Sequence, residues 1–165
     1  MTYRPRPTRL GAEGIALIKL FEGLELAAYQ DGAGIWTIGY GTTKGVYQGM
    51  MIDEGTAEDW LRRDVELAEA AIRRNVTVSI HQNQFDAMIS FIYNVGIGGF
   101  KRSTMLKRLN RGDDHGAAEA LEWFNKIRNP ETGKLRVSNG LKRRRAAERK
   151  LFERRPQDEE EFIKG

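Results

Sequence analysis

Between Leu26 and Thr43 the hydrophobic period of this chain changes, and that change limits the folds open to it. Upstream, from Gly11 to Gly23, Ile15, Ile18 and Phe21 or Glu22 recur at spacings of three and four, the period of a helix. Gly23 is a natural stop for that helix. Beyond it, Trp36, Ile38 and Tyr40 alternate with Ile35, Thr37 and Gly39, bounded by glycines at 32, 34, 39 and 41. Period two between glycines reads as a small twisted hairpin. The remaining pattern is dominated by helices, so the expected class is α+β with one small sheet near the N-terminus.

Asp53 is placed to cap a helix running to Arg74, with Trp60, Leu61, Asp64, Val65, Ala68, Ala71 and Ile72 along one face. A helix of that length is suited to linking two lobes. Gln82 to Val95 reads as a strongly apolar helix through Phe85, Met88, Ile89 and Ile92, broken by Gly96, Gly98 and Gly99. Short helices are expected at Ser103–Leu109 and Asp114–Asn125. Asn129 to Gly140, with Pro130, Gly133 and Asn139, reads as a loop, and Leu141 to Arg155 as a last helix stopped by Pro156. The expected organisation is a flexible basic arm over 1–10, one domain of two lobes over 11–155, and an acidic, frayed tail over 156–165.

A chain of 165 residues with 40% hydrophobic content can bury a core without covalent staples. It has no cysteine, which removes disulfides and thiolate metal sites but does not fix a compartment. The formal net charge of +4 draws it toward anionic polymers, whether nucleic acid, acidic lipid or a bacterial wall. No stretch is long enough to span a membrane as a helix. The arginines at 4, 6 and 9 resemble the charged start of an export signal, but no apolar run follows, so no export signal is expected. His81 and His115 lack ligand spacing, and neither a metal nor another cofactor is expected.

The chemistry points to three residues near the change of period. Glu22 shares a helix face with Ile15 and Ile18, so it is presented from the buried side. A carboxyl group withdrawn from water favours its protonated form, which a general acid needs. The bland alternative is that Glu22, beside Gly23, turns out to solvent. Asp31 with Gly32 is a common turn pair, and Thr37 alone is an ordinary strand residue. Together, two carboxylates in unlike settings beside a hydroxyl can protonate a glycosidic oxygen and activate a water.

The order Phe21-Glu22-Gly23, Asp31, then Thr37-Ile38-Gly39-Tyr40-Gly41 resembles the phage-type lysozymes. The likeness continues through Gln84–Ala87, Ser90–Gly96, Phe100 with Ser103–Leu106, Leu109–Asp113, and Gly140-Leu141 with Arg143–Arg145 and Glu148. It spans Gly14 to Glu153. The resemblance implies a lysozyme-like fold, mostly helical, with a β-hairpin lobe, a long linking helix and a helical C-terminal lobe. It implies cleavage of the β-1,4 bond between N-acetylmuramic acid and N-acetylglucosamine in peptidoglycan. Glu22 would then be the proton donor, Asp31 would handle the water or stabilise the oxocarbenium-like transition state, and Thr37 would hold that water. The family is thought to invert the anomeric centre, which calls for a carboxyl separation of roughly 6.5–9.5 Å.

Thr43, Tyr93, Asn94 and Ser103 are the expected substrate contacts. For Tyr93 and Asn94 a second reading stands level with the first, namely that they close a helix before Gly96. Trp36, Trp60 and Trp123 are expected to fill cores, with Trp36 facing away from a cleft that Thr37 faces. Among the basic residues of 141–155, the resemblance implies that Arg144 reaches back to Glu22; the others are expected to form a solvated face that could hold an acidic wall or lipid surface. Asn125–Gly140 is extended relative to many relatives. The resemblance further implies a monomer that waits in the host cytoplasm, relies on a separate membrane-permeabilising holin, acts on glycan strands in the periplasm and has no nucleic-acid partner. A lytic transglycosylase cutting the same bond, and a non-catalytic basic module, are the rival readings.

Overall fold

A computed structural model describes residues 6–156 of the chain. Its elements are α1 (Ala12–Glu22), β1 (Glu25–Gln30), β2 (Trp36–Gly39), α2 (Glu54–Asp64), α3 (Glu66–Asn75) and α4 (Gln82–Arg102). Then follow α5 (Thr104–Asn110), α6 (Asp114–Leu121), β3 (Lys126–Arg128), β4 (Leu135–Val137) and α7 (Asn139–Glu153). The fold is α+β, as the change of period implies.

The centre of the molecule is α4. Every residue from Asn83 to Ile92 is buried, so this stretch has no wet face. It packs against α1, α3, α5 and α7. Phe85, Ala87, Met88, Ile89 and Phe91 are fully enclosed, joined by Ile18 of α1, Ile72 of α3 and Phe152 of α7. At Gly96 the backbone leaves the helix (φ 83°, ψ 162°) and resumes at once, so Gly96 breaks the helix while Gly98 and Gly99 do not.

Local sequence sets most of the helix starts. The carboxylate of Asp53 accepts from the Thr56 N–H at 2.7 Å, and the side chain of Ser138 accepts from Leu141. His81 and Gln84 form a reciprocal capping box at the start of α4. The start of α1 is different, because Gly11 has no side chain to offer. Asp86, reaching across from α4, accepts from the Gly11 N–H at 2.9 Å and the Gly14 N–H at 3.0 Å. Burial raises the pKa of Asp86, opposed by those same hydrogen bonds.

The long linking helix expected over Asp53–Arg74 is two helices. They meet at Val65, whose ψ of −7° tightens the turn and redirects the chain. Leu61, Val65, Ala68 and Ile72 are all buried across this break, so the apolar spacing runs on as if the helix were continuous. Trp60 is only half-buried, with the Arg63 guanidinium over its ring.

The loop expected over Asn129–Gly140 contains strand. β3 and β4 pair antiparallel as a second hairpin, so the chain has two small sheets. Asn129 shapes its turn by accepting from the Glu131 and Thr132 N–H groups, and Gly133 takes a φ of 69°. The helix expected to reach Asn125 stops at Leu121, and Trp123 is 51% exposed rather than in the core. Part of the expected flexible arm is docked. Leu10 is buried and its N–H reaches Glu69 at 2.7 Å, Arg73 binds the Thr8 carbonyl, Gln82 binds the Arg9 carbonyl, and Arg6 donates to the Val76 carbonyl. The rest of the arm, 1–5, and the tail over 157–165 lie outside the described residues.

Candidate active site

Glu22 is the last residue of α1. Gly23 caps the helix with a φ of 70°, and its N–H returns to the Lys19 carbonyl. The chain therefore turns away, and the Glu22 side chain, 24% exposed, projects into an open groove of 560 Å³. Thr43, Asp64, Tyr93 and Asn94 line the same groove. Its size lies within the range of small-ligand sites. A larger cavity of 720 Å³ lies between residues 8–10 and α2–α3; it mixes arginines with Asp59, Glu66 and Glu69 and holds none of the expected site residues.

Arg144 of α7 grips the carboxylate from behind. It donates to Glu22 Oε1 at 2.5 Å, to Glu148 Oε1 at 3.2 Å and to the Ser90 carbonyl at 3.1 Å. A cation at the C-terminal end of α1 also meets the favourable end of that helix dipole. Glu148 is fully buried and additionally accepts from Ser90 Oγ at 2.8 Å and from Arg145 at 3.0 Å. Burial raises the pKa of Glu148, opposed first by the charge of Arg145. Burial also brings Arg145 down to about 10, which leaves it protonated at neutral pH. Arg145 lies over the Phe91 ring and donates to Asn94 Oδ1 at 3.0 Å. Asn94 also lines the groove, and that bond does not use its amide N–H donors.

The hydroxyl of Tyr93 donates to the Tyr40 carbonyl at 2.7 Å, so its ring, not its proton, is offered to the groove. Burial, then the charges of Asp64 and Glu22, raise its pKa and keep it neutral. Backbone and carboxylate come close at Gly41: a β-carbon there would stand 3.4 Å from the Tyr93 hydroxyl and 3.6 Å from Glu22 Oε2.

Asp31 sits half-buried in the turn between β1 and β2. Its Oδ1 accepts from the Ala33 and Ile35 N–H groups, both at 2.9 Å, so the turn fixes the carboxylate through that oxygen. Thr37 on β2 is 5% exposed, and its hydroxyl donates to the Ile35 carbonyl at 3.0 Å, which keeps its lone pairs available. Neither lines the groove that holds Glu22; both belong to the hairpin. Among the described residues, no three His, Asp or Glu side chains converge as a metal-binding group.

A family model described as Phage lysozyme matches residues 19–148. The chain belongs to the phage lysozyme family. An endolysin of Acyrthosiphon pisum secondary endosymbiont phage 1 is 43% identical over 145 residues, covering 87% of this chain and 97% of its own. The endolysin from Escherichia coli O157:H7 phage FAHEc1 is similar in structure, with a TM-score of 0.83 and 44% identity over 92% of this chain and 96% of that one. The muramidase domain of SpmX from Asticaccaulis excentricus gives a TM-score of 0.86 at 36% identity, covering 90% and 100%.

In this phage lysozyme the structure gathers Glu22, Thr43, Tyr93 and Asn94 on one groove, with Arg144 behind them. Ser103 is a correction. It is 1% exposed, its hydroxyl donates to the Phe100 carbonyl, and it accepts from the Leu106 N–H, so it caps α5 from inside the fold, out of a glycan's reach. Three features escaped the sequence reading. Asp64 lines the groove and accepts from Thr42 Oγ1 at 2.5 Å; only the spacing of α2 hinted at it. The Arg144–Glu148 pair was legible as an i, i+4 spacing, but not its burial. Tyr29, 41% exposed, stands opposite Thr37 in the register and so shares its face of the hairpin.

Proposed function

We propose that this lysozyme is an endolysin that hydrolyses the β-1,4 bond between N-acetylmuramic acid and N-acetylglucosamine in peptidoglycan. Glu22 gives its proton to the leaving glycosidic oxygen. Asp31 orients and deprotonates the attacking water, with the Thr37 hydroxyl accepting a hydrogen bond from it. Tyr93 and Thr43 contact the sugar, and Asn94 donates its amide to an N-acetyl carbonyl. The observation that carries this reading is the Glu22 carboxyl on the wall of a groove, pinned by Arg144 through Oε1 with Oε2 near Gly41. Separate acid and water-handling groups suit inversion of the anomeric centre.

The domain acts as a monomer, waits in the host cytoplasm, and reaches the wall in the periplasm through a holin-made passage. Among the described residues no helix is long and apolar enough to cross a membrane. A lytic transglycosylase is not favoured: it runs with one acid and leaves Asp31 and Thr37 without work.

The test is clearing of outer-membrane-permeabilised Gram-negative cells, with product analysis on purified peptidoglycan. Glu22→Gln loses about 10²–10⁴-fold in rate. Asp31→Asn keeps an oxygen for the Ala33 and Ile35 N–H groups, and Thr37→Ala gives up one hydrogen bond, so both stay folded and lose most activity. Full rate in either removes its assigned role, and anhydro-muramic products in place of new reducing ends overturn hydrolysis.

A further inference from the structure

Half of the cations of the last helix are held in ion pairs, while Lys142, Arg143 and Lys150 stay exposed. Arg144 and Arg145 are buried on Glu22 and Glu148, Arg149 pairs with Glu122 and Glu153, and Arg154 pairs with Glu13. A separate group of outward cations lies on the second hairpin. Lys126, Arg128, Lys134 and Arg136 are all exposed, and none makes an ion pair among the described residues. The segment carries one acid, Glu131, in the turn.

The register adds a second observation. Each cross-strand pair joins a cation to an aliphatic residue: Lys126 with Val137, Arg128 with Leu135, and Arg136 with Ile127. Leu135, Val137 and Ile127 are 56%, 52% and 38% exposed, and Trp123 at the root of the hairpin is 51% exposed with the Arg108 guanidinium over its ring. Neither face is dry, and a lone two-stranded hairpin is marginal in water. A surface built to bind a polyanion such as nucleic acid needs the cations but has no use for the aliphatic groups. A lipid interface uses both, because Lys and Arg stems lie along apolar surface with their heads among anionic headgroups. Exposed tryptophan fits the same interface.

We propose that the β3–β4 hairpin, with Trp123 at its root, docks this protein onto an anionic lipid bilayer. The face bearing Lys126, Arg128, Leu135 and Val137 lies on the membrane. The contact is independent of glycan cleavage and would hold the protein at the membrane that it must pass.

The test is co-sedimentation of the full chain with vesicles of phosphatidylcholine alone or with about a third phosphatidylglycerol, whose headgroups attract each nearby cation. The wild-type protein sediments with the anionic vesicles and not the neutral ones. Lys126→Glu with Arg128→Glu weakens this by tenfold or more, and Leu135→Ser with Val137→Ser weakens it several-fold. All four positions are on the surface, so both double variants melt like the wild type and cut lipid-free purified peptidoglycan at the wild-type rate. Absence of wild-type binding, or equal binding to neutral vesicles, overturns the proposal. So does binding that falls with charge reversal but not with the serine pair, which marks a plain polyanion contact. A rate on lipid-free peptidoglycan that falls in both variants makes the hairpin a glycan contact instead, and the proposal is wrong.

Discussion

Replacing Arg144 by methionine keeps the aliphatic stem and removes the group that joins Glu22 to the interior. The side chains of Arg144 and Glu148 are 5% and 0% exposed, so this breaks a buried pair, which costs about 3–5 kcal/mol. Arg145 stays against Glu148, with Nε 2.8 Å from Oε2, so the remaining carboxylate is not left bare and the lower end of the range applies. At about 2–4 °C per kcal/mol for a domain of this size, the melting temperature falls by roughly 6–12 °C. Glu22 is more open to water, and its share of the loss is smaller. A double-mutant cycle of Arg144→Met with Glu22→Gln should give a coupling of about 1 kcal/mol or less, and the cycle with Glu148→Gln about 2 kcal/mol or more. Scanning calorimetry and urea titration measure both. A fall of under about 2 °C, or a stronger coupling to Glu22 than to Glu148, refutes the picture of a guanidinium anchored from inside.

Two further outcomes follow from the geometry around the same core. Gly41 holds a φ of 98°, and the neighbours of an added β-carbon lie at ordinary contact distance, so Gly41→Ala is penalised chiefly by backbone strain, about 1–3 kcal/mol. Its rate on purified peptidoglycan should fall as Glu22 and Tyr93 shift; unchanged melting and rate together would show that the site tolerates the change. Asp86 has a pKa raised by burial above the ordinary 3.8, so between 3.8 and the raised value the folded state holds more protons than the unfolded one. Its contribution to stability is therefore full below 3.8 and declines as pH rises through that window. Urea unfolding of wild type and Asp86→Asn across acidic pH should show the wild type losing ground to the variant as pH rises, and a difference that moves the opposite way contradicts the assignment.

The sequence carried what depends on near neighbours along the chain. The helical period before Gly23 and the period-two run after it placed α1 and the first hairpin, because side-chain direction repeats every 3.6 or 2 residues whatever lies around it. Asp53 and Ser103 stand at their helix starts by local chemistry, although sequence alone makes Ser103 an expected glycan contact. The order of Glu22, Asp31 and Thr37 pointed to the family, which the chain's relatives show. Arg144 was legible only through that resemblance.

Tertiary structure decided what two distant segments do to each other. The break at Val65 is invisible in the spacing, because the buried positions keep their period on both sides of it. The second hairpin was hidden because each of its pairs mixes a cation with an aliphatic residue, leaving no alternation between a wet and a dry face. A glycine at the head of α1 gave no sign that Asp86 would cap it from α4, and the one-turn spacing of Arg144 and Arg145 from Glu148 gave no sign that the group would be buried. Capping across helices and charge pairing in the interior depend on which surfaces meet once water is excluded, and a one-dimensional pattern does not hold that information.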